Sequence, residues 1–227
     1  MNRRTQALVT AFLGAVLVRL TMGTGYLTFV ASWMRWPLMA TGLVLIALSL
    51  RAALGREPVS EHDDDHDHGV PWATWLLLLP GLVVFVVNPP ALGAYLAERR
   101  GDDPTVVHQQ DGGLPPLPDG DPVDLTLDDL TWRASVDGET LLGRQVRVVG
   151  FVSTGDKGDW YVTRLTIFCC AADAIVERAR ATGQPAPPRN QWVQVTGTVT
   201  EAADDHGDPV LDVTSIEQVP TPEETYG

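Results

Sequence analysis

The chain reads as an α+β protein in which N-terminal transmembrane α-helices precede a small, mainly β domain with an OB-like barrel form. Three observations predict this. Residues 1–56 hold long apolar runs punctuated only by Arg3, Arg4, Arg19, Arg35, Arg51 and Arg56, with no acidic group. A stretch rich in Asp, Gly and Pro then divides the chain. Beyond it, short segments alternate apolar and polar residues, the period of two that marks half-buried strands. A mean hydropathy near zero averages these unlike parts.

Residues 1–98 are expected to form a transmembrane domain of three helices, about 6–21, 34–54 and 71–87. Crossing a bilayer takes roughly 17–25 mostly apolar residues. The second run, centred on Leu38 to Leu50, and the third, with Leu76 to Leu79 at its middle, meet that length. The first is shorter, because Gly23-Thr24-Gly25 interrupts it. Arg3-Arg4 before an apolar run also suits a signal peptide, but no small-x-small cleavage site follows, so a retained helix is expected. Arg19 is read as snorkelling to the interface.

Basic residues flanking spans favour the cytoplasmic side. A cytoplasmic N-terminus puts Arg3, Arg4, Arg51 and Arg56 inside, with Arg35, Arg99 and Arg100 outside. Three spans then deliver the C-terminal domain to the extracytoplasmic face of a bacterial cell membrane. Trp33, Trp36, Trp72, Trp75 and Tyr95 stand near span ends, as interfacial anchors do.

Between spans two and three runs Glu61-His62-Asp63-Asp64-Asp65-His66-Asp67-His68. Imidazole and carboxylate are the ligand types that Zn2+ and similar divalent ions accept, so His62, His66 and His68 are candidate metal ligands. The plain alternative is a solvated acidic loop.

Residues 99–122, with Leu114-Pro115-Pro116-Leu117-Pro118, read as a flexible linker. In the domain 123–227, Thr126 caps a short helix over Leu127 to Val136, with Asp128 and Asp129 in its first turn. Arg144 to Ser153 and Trp160 to Phe168 are strands flanking the turn Gly155-Asp156-Lys157-Gly158. Ala171 to Thr182 reads as a helix ending before Gly183 and Pro185. Trp192 to Thr200 and Val210 to Val219 complete the strands, with bends expected at Gly150 and Gly197. That order suggests the OB-like barrel, with a β-sandwich as the alternative.

The formal charge is -13, and Lys157 is the sole lysine. Nucleic-acid affinity comes largely from Lys and Arg neutralising phosphates, so no nucleic-acid partner is expected. The two cysteines are neighbours, Cys169-Cys170. Adjacent cysteines close only a strained ring and cannot staple distant segments. Metal contact, thiol chemistry or burial remain. Cys169, Cys170 and Asp173 form a second candidate metal set, thiolates being soft ligands. Against it, alternation along a strand turns one thiol inward and one outward, with Asp173 left to cap the following helix. The Cys-x-x-Cys spacing, a Ser/His/Asp constellation and a phosphate loop are all missing, so the chain is not expected to be an enzyme.

Several segments carry a resemblance. They are Gly25-Tyr26-Leu27 through Trp36-Pro37, His68-Gly69, and Pro89-Pro90-Ala91-Leu92-Gly93-Ala94-Tyr95. The sharpest are Ile167-Phe168-Cys169-Cys170-Ala171-Ala172-Asp173-Ala174 and Trp192 to Val199. Together they make the chain resemble a family of uncharacterised bacterial membrane proteins described as permease subunits, often encoded beside a multispan predicted permease. The stretch after Ala174 departs from that pattern, and the tail Pro220 to Tyr226 echoes a Pro-Tyr-rich ending only loosely. The resemblance implies a membrane-anchored accessory role beside a multispan permease, with the outer domain binding a solute, a metal ion such as Zn2+ or another divalent metal, or a partner protein. The alternatives are an extracytoplasmic thiol enzyme and a purely structural interaction module.

Overall fold

A computed structural model describes residues 3–54, 93–100, 114–155 and 158–226, together with Leu79, Leu82, Val83 and Val86 in helical conformation. The molecule is α+β. It divides into two compact units, Met1–Pro90 and Ala91–Gly227.

In the first unit, α1 (Arg3–Thr21) and α2 (Arg35–Leu54) are joined by two short 3-10 turns, Gly25–Thr28 and Ser32–Met34. Gly14 and Gly42 face each other where the helices pack. A Cβ on Gly14 would lie 2.7 Å from the Gly42 carbonyl oxygen, so only small residues permit this approach. Helical hydroxyls are satisfied locally: Thr21 Oγ1 donates to the Val18 carbonyl and Ser49 Oγ to that of Ile46. Leu8, Leu13, Leu43, Val44, Leu48 and Leu50 are turned outward. Among the described residues, one segment is long and apolar enough to cross a membrane, the 23 residues Ser32–Leu54. The first expected span forms a shorter apolar helix, Gln6–Thr21, and the third, 71–87, lies largely outside the described residues.

The second unit opens with α3 (Gly93–Arg100) and continues through β1 (Val123–Asp124), α4 (Leu127–Asp137), β2 (Gln145–Thr154), β3 (Trp160–Thr166), β4 (Ile175–Thr182), β5 (Trp192–Glu201) and β6 (Val210–Gln218). The six strands form one sheet in the order β1-β2-β3-β4-β6-β5, and β2 pairs with β5 as well. The C-terminal half of β2 pairs with β3 and its N-terminal half with β5, both antiparallel. With β3 on β4, β4 parallel to β6 and β6 on β5, the pairings run round a closed cycle of strands.

Gly150 and Gly197 stand where backbones approach closely. A Cβ would lie 2.6 Å from the Thr163 carbonyl oxygen at Gly150, and 2.8 Å from that of Asp212 at Gly197, where the β5–β6 register also shifts. The core gathers Val146, Val148 and Val152 of β2, Trp160 and Val162 of β3, Val193 and Val195 of β5, and Leu211 and Val213 of β6. Leu127 and Leu130 of α4 are fully buried against it. Thr126 caps α4 as the sequence predicts, its Oγ1 accepting from the Asp129 amide at 3.1 Å.

The expected helix over Ala171–Thr182 is a correction. Only Ala171–Asp173 turns, as a single 3-10 turn, and Ile175–Thr182 is β4. Its Ala, Glu and Arg residues favour helix intrinsically, but the segment is paired residue for residue with β3, from Thr166↔Ile175 to Trp160↔Ala181. That ladder buries Ala179 and Ala181 against the core, so tertiary pairing overrides local propensity. β1 went unread because two residues carry no periodicity; it is recruited by the parallel partner Val146.

Candidate metal centre

β3 ends at Thr166, and the chain passes through Ile167 to Ala174 before β4 begins. Ile167 is buried and anchors the loop. The following residues cannot continue the ladder, because Asp173 gathers their amides. Its carboxylate accepts from the backbone N–H of Phe168 (3.0 Å), Cys169 (2.9 Å) and Cys170 (3.4 Å). The Asp173 amide donates back to the Cys170 carbonyl at 3.0 Å. These bonds wrap the segment around one carboxylate.

The expectation that one thiol would face the core fails for this reason. The cysteines sit on a turn, so strand alternation does not apply. Cys169 is exposed and Cys170 half-buried, and neither is disulfide-bonded. The two Sγ atoms and an Asp173 carboxylate oxygen all lie within 4.8 Å of one another. A tetrahedral zinc with Zn–S bonds of about 2.3 Å holds its sulfurs roughly 3.8 Å apart. The observed spacing is close to that geometry. The donor set therefore fits a soft or borderline divalent ion, with a fourth position left for water or a further ligand.

The electrostatics set the resting state of the thiols. A hydrogen bond to Asp173 and a second to Cys170, with the negative carboxylate close by, push the Cys169 thiol up to about 12. The same thiol, with the backbone amides, holds the Asp173 carboxyl below its usual range. Cys169 therefore rests as the protonated thiol at neutral pH and is a poor nucleophile. A metal ion must expel the proton in order to bind, which makes affinity depend on pH.

α3 braces the loop, a contribution not visible in the sequence reading. Arg100 Nη1 donates to the Ala174 carbonyl at 2.6 Å and Nη2 to that of Ala172 at 3.4 Å. The helix itself is pinned farther along. Glu98 takes a two-pronged contact from Arg189 (2.8 and 2.6 Å) and a bond from Thr154 Oγ1 at 2.9 Å, while Asn190 Oδ1 accepts from the Ala94 amide at 2.7 Å. The ion pair with Arg189 lowers the Glu98 pKa. The Arg100 signal was present, in a basic residue read only for the side of the membrane it falls on.

His62, His66 and His68 lie outside the described residues. His206 sits exposed on the loop between β5 and β6, beside a cleft that Tyr161 and Arg178 also line. There Arg178 and Asp208 form a buried ion pair of 2.6 Å. Among the described residues, Cys169, Cys170 and Asp173 are the group placed to share a metal.

Residues 136–227 match the family model described as DUF1980 C-terminal domain, an uncharacterised family; the match takes in β2 to β6 and the whole cysteine loop. No curated protein and no solved structure matches the chain.

Proposed function

We propose that this protein is a membrane-anchored accessory subunit of a permease, and that its extracytoplasmic β domain takes up a divalent metal ion, Zn2+ foremost, through Cys169, Cys170 and Asp173. The observation that carries the reading is the convergence of two thiols and a carboxylate within 4.8 Å on one surface loop. The apolar segment Ser32–Leu54 and the outward leucines of α1 and α2 support a membrane anchor. The multi-pass topology, with a cytoplasmic N-terminus, rests on the arginine distribution. The permease partner rests on the resemblance carried by the cysteine loop and the flanking membrane segments.

The closed cycle β2-β3-β4-β6-β5 supports the finer reading of an OB-like barrel. In such a barrel, the β3–β4 loop stands at one end, open to an incoming ion. His62, His66 and His68 make a second, separate and looser donor set, on the loop that the proposed topology places on the cytoplasmic side. Thiol catalysis is the weaker alternative, because the raised Cys169 pKa opposes a reactive thiolate.

Zinc titration of the full chain in mild detergent tests the metal reading. Wild type is expected to bind one zinc that is lost in Cys169→Ser/Cys170→Ser and kept when His62, His66 and His68 are replaced by Gln. Equal uptake by wild type and the double cysteine variant would sink it. Co-purification tests the partner separately: a chain that emerges alone from mild detergent extracts of its own cells counts against a permease complex.

A further inference from the structure

A second polar group is buried away from the cysteine loop. In the β3–β4 ladder Arg164 stands directly opposite Glu177. Glu177 shares a strand face with the core residues Ala179 and Ala181, and Arg164 and Thr166 share one with Trp160 and Val162. The residue Glu177 is only 3% exposed. Despite their opposite charges and adjacent register, no ion pair joins Arg164 to Glu177 among the described residues. The Arg164 guanidinium lies over the Trp192 ring, 5.5 Å from its centroid, and one nitrogen reaches the Glu224 carbonyl at 3.4 Å.

Both groups open onto a cavity of about 390 Å³, walled on its other sides by Leu125, Leu127 and Val149. Ligand cavities of a few hundred Å³ combine apolar walls with a few convergent polar groups. Here the polar groups are two acids, Glu177 and Asp128, one base, Arg164, and the hydroxyls of Thr126 and Thr166, so the negative side of the cavity outweighs the positive one. Arg164 and Glu177 attract each other across the ladder, and Thr166 hydrogen-bonds the carboxyl, but without a direct ion pair burial still penalises both charges. A guest bringing an ammonium to one and a carboxylate to the other would relieve both costs.

The geometry points to this cavity as a binding site for a small zwitterion of amino-acid size, its ammonium on Glu177, its carboxylate on Arg164 and its short hydrocarbon body against Leu125, Leu127 and Val149. The site is independent of the metal loop. Burial, reinforced by the negative charge of Asp128 on α4, raises the Glu177 pKa to about 7, against the lowering effects of Thr166 and Arg164 on β3. A bound ammonium lowers it again, so binding near neutral pH releases part of a proton into the buffer.

Calorimetry on the zinc-free full chain in detergent tests the site, using ω-amino acids of two to six carbons as probes. Butylamine and butanoate serve as single-charge controls. At least one zwitterion is expected to bind one to one, at least tenfold tighter than either control, with proton release seen as a buffer-dependent heat at pH 7. Glu177→Gln and Arg164→Gln should each weaken it at least tenfold, and Glu177→Gln should abolish the proton release. Melting curves confirm that both variants fold. Absence of binding across the whole series overturns the inference, as does binding that Glu177→Gln leaves unchanged or that butanoate matches.

Discussion

Asp173 organises the loop through its acceptor capacity. One carboxylate satisfies three successive amides and also holds the Cys169 thiol in its protonated form. Asp173→Asn keeps the shape and removes the charge, so the Cys169 pKa should fall by about a unit or more. In a Cys170→Ser background, iodoacetamide alkylation at pH 8.5 should then accelerate about tenfold; an unchanged rate would mean the carboxylate does not control the thiol. Glu177 makes a different residue-scale prediction. Its folded pKa, about 7, lies above its ordinary 4.5, so the folded state holds the proton more tightly than the unfolded one. The stability this confers is complete below pH 4.5 and is lost as pH rises through 7, by about 3 kcal/mol in all. Denaturant unfolding at pH 5 and pH 8 should show that loss in wild type and a reduced one in Glu177→Gln. Cysteines and aspartate were legible as a candidate set from their types and spacing. Their convergence on one loop outside the core was not, because it depends on the turn that the hydrogen bonds impose.

Among the elements, β4 and α3 were the least legible. Residues 175–182 look helical by composition, and only the neighbouring strand β3 decides otherwise. The strands β2, β5 and β6 were readable because valine alternation and turn residues bound them, and α4 because Thr126, Asp128 and Asp129 mark its start. α3 carries a short apolar face, Ala94 and Ala97, which are almost wholly buried. Eight residues are too few to form a helix alone, so its existence depends on Arg189, Asn190 and the backbone of the cysteine loop. Arg100→Ala should therefore loosen that loop. Charged hydrogen bonds contribute about 1.5–3 kcal/mol, so amide exchange at Phe168 to Cys170 should speed up at least about tenfold in hydrogen–deuterium exchange of the full chain. Unaltered exchange would reduce Arg100 to a surface contact.

At the scale of the whole molecule, the two cysteines report on the placement of the entire second unit, because they are the only ones in the chain. If the domain is extracytoplasmic, a membrane-impermeant maleimide applied to intact cells at pH 8.5 should label it, and the Cys169→Ser/Cys170→Ser chain should stay blank. Labelling that requires lysis would place the domain inside and reverse the proposed topology. The amino-acid sequence by itself determined the division into an apolar first third and an acidic, strand-rich remainder, since hydropathy and charge are sums over local composition. It also determined the cap of α4 and the donor types near residue 170, because both depend on residues a few positions apart. Only the tertiary structure decided that Ile175–Thr182 is a strand, that Arg100 reaches the cysteine loop, and that Glu177 is buried opposite Arg164 with no direct ion pair between them. Each of these depends on contacts between distant segments, and the free energy of pairing and burial there exceeds the small local preferences that a sequence displays.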